Sequence, residues 1–248
     1  MSRPGRALGR LHRPVLTVVI PLDGDVPDTG SGLEGVADAV SLTASAPREA
    51  GVAALAPTSD GVEPTIRSVL GQSLGDLEVL AVAGAPGAGG RVSPAVSAAR
   101  HLAEQDRRVR VMPEAGIAAA MRSARASVLT VLSPHEIVAD GSYEAMISQL
   151  AASGSQAVIG AVRPPGSADA PGGLPTRSRA QLVDVLDAVE EPLPGRILAR
   201  TRLWRLVSPD DLSVEATTVR VLISAPAIDV LDRCVLVRPV LRGVDDLR

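Results

Sequence analysis

The 248-residue sequence contains no Lys, no Asn and no Phe, and all 25 of its Lys-plus-Arg positions are Arg. Chemistry that needs a lysine, whether a Schiff base or a phosphate-loop amine, is therefore excluded. Tyr143 and Trp204 are the only members of the Phe/Trp/Tyr set. That leaves few platforms on which a base or sugar could stack, and the core has to be built from Val, Leu, Ile and Ala. Cys234 is the single cysteine, so no internal disulfide forms. It lies in an apolar run, where a small buried side chain is expected. No apolar stretch approaches the roughly 18 residues of a membrane-spanning helix. A formal net charge of −3 gives no strong field to attract nucleic acid.

The chain is 46% hydrophobic and 21% charged, as in ordinary globular proteins. Its length suits one α/β domain. Residues 1–13 read as a disordered basic tail carrying Arg3, Arg6, Arg10 and Arg13. The apolar run after it, ending at Pro21, is too short for a signal peptide and lacks a small-residue cleavage site. These features predict a cytoplasmic protein, with peripheral contact of the basic tail with the inner membrane face as the alternative to a plain solvated tail.

Val15–Ile20 is a continuous β-branched run, as expected for a buried parallel strand. Residues 22–61 are rich in Gly, Ala, Ser, Asp and Pro and read as an insertion, with a short helix near 33–42. Further strands are predicted at 77–82, 109–112, 128–132, 157–162 and 227–237. Helical spacing marks 62–72, 94–105, 116–126, the segment from Tyr143 to Leu150, the region around 182–189, and the segment starting near Val219. Residues 163–176 read as a loop. Strands alternating with helices predict an α/β domain over 14–242 with a mostly parallel sheet and helices on both faces, followed by a tail at 243–248. In such sheets ligands bind beyond the carboxyl ends of the strands. The loops at 21–30, 83–90 and 133–136 should share that edge.

Two decoy motifs fall away on context. Gly71-Gln72-Ser73-Leu74-Gly75 spells a nucleophile elbow but stands between a helix and a strand, the reverse of the required order. Gly84–Arg91 imitates a phosphate loop, yet Gly90 stands where the lysine is needed.

Four segments taken in order resemble the family-2 glycosyltransferases. Val18-Val19-Ile20-Pro21 is similar to that family's first strand. Thr65–Val79, which reads TIRSVLGQSLGDLEV, resembles its SVLxQxxxDLEV segment. Gly116–Met121 resembles the start of the helix before the metal motif, and Val131–Glu136 stands at the family's FLDxDD strand end. Arg202–Arg205, Thr217–Arg220 and Ile228–Leu231 resemble late segments of members that build bacterial wall polymers. The resemblance implies a GT-A-like nucleotide-diphospho-sugar transferase fold, a nucleotide-sugar donor, a glycan acceptor, and Mn²⁺ or Mg²⁺ if the chain is active. It places nucleotide contacts at Pro21, Asp23, Ala83, Gly84 and Ser133, metal ligands at His135 and Glu136, and a catalytic base at Glu215.

The sequence departs from the family where charge is required. The family's Asp-Asp-Gly-Ser after the second strand is here Ala83-Gly84-Ala85-Pro86, and its Asp-x-Asp is Ser133-Pro134-His135. The late acidic pair aligns with Ser213-Val214, one place before Glu215. The expectation is a degenerate transferase with weak or no activity. Two alternatives stand beside it. One is a divergent enzyme working through His135, Glu136 and Glu215; the other is a noncatalytic module that binds a protein partner or a glycan. For Glu136 itself, the competing reading to a metal ligand is a solvated helix N-terminus.

Overall fold

The computed structural model describes residues 13–22, 59–84, 92–113, 116–163, 177–180, 194–207 and 214–237. Residues 1–12 of the predicted basic tail, most of the 22–61 insertion, the helices at 33–42 and 182–189, and the terminal tail lie outside these residues.

One mixed sheet organises the chain, in the order β3-β2-β1-β4-β8-β6-β9-β5, with β7 added to β9. Its first half follows the sequence pattern. β1 (Leu16–Pro21), β2 (Leu77–Val82), β3 (Val109–Met112) and β4 (Val128–Val131) are all parallel, with β1 pairing both β2 and β4. β1 and β4 are buried throughout but for Pro21, and β2 is wholly buried, which explains why these strands read as unbroken apolar runs.

The second half is mixed. β6 (Ala157–Arg163) runs parallel to β9 (Ile228–Val237). β8 (Ile197–Arg200) enters antiparallel between β4 and β6. Two short strands, β5 (Ile137–Val138) and β7 (Arg177–Ala180), pair antiparallel with β9. β5, β7 and β8 have 2, 4 and 4 residues and were not among the strands predicted from the sequence.

Helices cover both faces. α1 (Ser59–Leu70), α2 (Pro94–Gln105) and α4 (Ser142–Ser153) bury Val62, Ile66, Ala99, Met146 and Leu150 against Val18, Ile20 and Val79 on one side. α3 (Ile117–Ser123), α5 (Thr201–Val207) and α6 (Val214–Ser224) bury Met121, Trp204 and Val221 against Val19, Leu80 and Leu129 on the other. Alternate residues of β1 thus feed opposite cores, as the pleat requires.

α3 stops at Ser123, three residues earlier than its Ala-rich composition predicts. The cause is a buried carboxylate. Glu78 of β2, 1% exposed, accepts the Arg125 N–H at 2.6 Å, and Thr17 Oγ1 accepts the Ala126 N–H at 3.3 Å. Those two amides are drawn out of the helical ladder toward the sheet.

Candidate functional site

The carboxyl ends of β1, β2 and β4 form one edge. Pro21 pairs in register with Val82, the Leu22 N–H donates to Val82 O at 2.8 Å, and the Leu132 N–H donates to Val19 O at 2.9 Å. Pro21, Ala83, Gly84 and Ser133 therefore sit together on that edge, as the topology required. β1 is where the strand order reverses, between β2 on one side and β4 on the other. Ala83 is buried and its N–H donates to Met112 O at 3.0 Å, so this strand end presents backbone and methyl groups; Gly84 is exposed. Asp23 lies outside the described residues. Glu215 is in the first turn of α6, and nothing is described of its side chain. α6 packs against the 3₁₀ turn Pro194–Arg196, which itself lies on the β4 end.

The turn after β4 carries the two predicted metal ligands, and they point to different places. His135 is half-buried and its ring lies on α1 at Gly61, where any Cβ would overlap the imidazole. Glu136 turns inward and is 4% exposed. Its Oε2 accepts the Ser133 N–H at 3.0 Å. A Cβ at Gly195 would lie 2.5 Å from Oε2 and 2.6 Å from Leu132 Cδ1, so the 3₁₀ backbone covers the carboxylate. The reading of Glu136 as a solvated helix N-terminus is corrected here: the residue precedes the two-residue strand β5, and its charge is taken inside. Tyr143, fully buried on α4, lies within electrostatic reach of Glu136 and its hydroxyl has no hydrogen-bond partner. Burial, and then the Glu136 charge, push the phenol well above its ordinary range. Among the described residues, no group of three or more His, Cys, Asp or Glu side chains could hold a metal ion.

α1 holds this turn from the side. Thr65 Oγ1 donates to Pro134 O at 2.8 Å, and Ser68 Oγ accepts the Val138 N–H at 3.1 Å. Gln72 Nε2 donates to Ala139 O at 3.2 Å, and its Oε1 accepts the Tyr143 N–H at 3.4 Å. Thr65, Ser68 and Gln72 are spaced three and four apart and line one polar stripe between the apolar positions Val62, Ile66 and Val69. The SVLxQ string is therefore scaffold: it positions residues 134–143. Sequence reasoning missed these roles, and the polar stripe at helical spacing was the available signal.

No protein-family profile matches the sequence, and no curated protein matches it. Solved structures do. Staphylococcus aureus TarS 1-349 superposes with a TM-score of 0.60 at 10% identity, over 90% of this chain and 60% of that one. The same TarS fragment in complex with UDP-GlcNAc gives 0.58 at 10% identity, over 90% and 57%. TarS without that truncation gives 0.59 at 10% identity, over 91% and 36%. This chain thus spans 60% or less of each of these structures. Among the described residues, no helix is long and apolar enough to cross a membrane. The fold reached from the strand pattern and the SVLxQ segment is the α/β, GT-A-like fold of these glycosyltransferase neighbours.

Proposed function

We propose that this chain is a family-2-like glycosyltransferase domain with weak or no transferase activity of its own. It would descend from enzymes that move a sugar from a nucleotide donor in cell-wall or surface polysaccharide assembly. The neighbour TarS crystallised with UDP and with UDP-GlcNAc, which supports a nucleotide sugar as the ancestral ligand. A glycan acceptor, a protein partner and a cytoplasmic location with peripheral membrane contact belong to the same proposal.

One observation carries the loss of activity: the single carboxylate described on the β4–β5 turn is buried and bonded to the Ser133 amide. A nucleotide diphosphate gathers negative charge as it leaves the sugar, and a divalent cation held by side-chain oxygens neutralises that charge. The described donors do not fit such an ion. Glu136 faces Gly195 and the Ser133 amide, His135 faces Gly61, and the β2 end offers Ala83 and Gly84 where acids would be needed. A base at Glu215 would accept a proton but would not neutralise the charge on the departing diphosphate.

Turnover tests this reading. Purified protein incubated with UDP-GlcNAc and Mn²⁺, with and without an added glycan acceptor, is expected to release UDP no faster than buffer. Release well above buffer and abolished by His135→Ala would overturn the proposal.

A further inference from the structure

We propose that Glu136 is a positioning residue, an internal latch that fixes the shape of the β4–β5 turn at the carboxyl edge. Ser133 and Glu136 are tied to each other twice: the Ser133 N–H donates to the Glu136 carboxylate at 3.0 Å, and the Glu136 N–H donates to Ser133 O at 3.1 Å. The side chain thus completes a reciprocal ring around Pro134 and His135. Two glycines make the ring possible. Gly195 lets the 3₁₀ backbone close over the carboxylate, and Gly61 leaves a notch on α1 for the His135 ring. Thr65 Oγ1 donates to Pro134 O within the ring.

The carboxylate, 4% exposed, ties the end of β4 to the 194–196 turn, while Thr65 and the His135 ring tie the same β4–β5 turn to α1. Ser133 is half-buried, so its N–H, on losing this acceptor, pays a part of the desolvation penalty, and the effect is local to the turn. The inference concerns what Glu136 does in the free protein. It would survive the discovery of nucleotide binding elsewhere on the edge, and it would fall separately if the carboxylate proved to be a metal ligand.

Residue-resolved amide hydrogen exchange tests it. Glu136→Ala is expected to speed exchange at Ser133 roughly tenfold to a hundredfold while leaving the amides of β2 and β3 unchanged. Glu136→Gln keeps an acceptor oxygen at the same reach and is expected to restore most of the protection. Gly195→Ala is expected to reproduce the Glu136→Ala effect by displacing the carboxylate. Should Glu136→Ala fail to fold, the Gln and Gly195 variants carry the same comparison. Unchanged exchange at Ser133, or equal loss across β1–β3, overturns the latch. So does Mn²⁺ binding to the wild-type protein that Glu136→Gln abolishes.

Discussion

Trp204→Ala is expected to lower stability by about 3–5 kcal/mol, a large fraction of the 5–15 kcal/mol typical of a domain. Trp204 is fully buried on α5, packed in the cluster that includes Met121, Leu129, Val131, Ile197 and Leu203. Its indole N–H donates to Leu129 O at 2.9 Å, tying α5 to β4. β4 lies near the middle of the sheet, between β1 and β8. Two costs combine on truncation: a large cavity opens, and a buried carbonyl loses its donor. The chain has no Phe to shift into the space, and the neighbours are Met, Leu, Ile and Val side chains carried on strands and helices of the same cluster. Urea unfolding followed by circular dichroism measures the effect, since the fluorophore is lost. Leu206→Ala on the same helix serves as the control: Leu206 is 76% exposed, and its truncation should change stability by no more than about 0.5 kcal/mol. A loss under about 1 kcal/mol for Trp204→Ala would contradict this packing.

Glu78 gives the second large effect, and it depends on pH. The side chain is buried on β2 and accepts Thr17 Oγ1 at 2.7 Å, the Arg125 N–H at 2.6 Å and Arg125 Nε at 2.8 Å, with Arg110 Nη1 at 3.7 Å. Burial alone would raise its pKa. The hydrogen bonds from the Arg125 backbone, Thr17 and the Arg125 guanidinium, together with that cation's charge, outweigh burial and hold the carboxyl below its ordinary value of 4.5. A folded-state pKa below the unfolded one means the unfolded chain binds more protons in acid. The stabilisation is therefore complete above the unfolded value and disappears as pH falls through the folded one. Asp106, hydrogen-bonded by Arg108, is shifted the same way and adds a smaller, partly exposed contribution in the same window. Glu78→Gln is expected to cost about 1.5–3 kcal/mol at pH 7. It should also flatten the fall in stability below pH 4.5. Arg125→Ala should cost less, because the backbone N–H and Thr17 still serve the carboxylate. Equal acid sensitivity in wild type and Glu78→Gln would contradict the network.

Much of this fold was legible in the chain because its first half uses parallel strands buried on both faces. Leu16–Ile20, Leu77–Val82 and Val128–Val131 announce themselves as runs with no polar period beyond Thr17, Glu78 and Thr130. The second half was less legible for a physical reason. β5 has only two residues, and β8 reads Ile-Leu-Ala-Arg and runs directly into the helix α5, so neither stands out as a separate apolar run. Arg202-Leu203-Trp204-Arg205 was visible as a family-like segment, but its role as the clamp under β4 depends on Leu129, 75 residues earlier.

The site divides in the same way. The meeting of Pro21, Ala83 and Ser133 on one edge follows from strand order, so sequence reasoning reached it. The fate of Glu136 does not. Its Oε2 lies under Gly195, at a spot that Leu132 and Leu236 also approach, and of these three only Leu132 is close to it in sequence. Adjacent residues on a turn diverge, and here His135 goes to α1 while Glu136 goes inward. Spacing alone could nominate them as a pair of ligands but could not say that each already had a neighbour.

Isothermal titration of the protein with UDP, GDP and CDP in the presence of Mn²⁺ addresses the central claim most directly. The account predicts no heat of binding at micromolar ligand. Micromolar affinity that disappears on removal of the metal, or in His135→Ala, would show that this edge still holds a cation and would contradict the account.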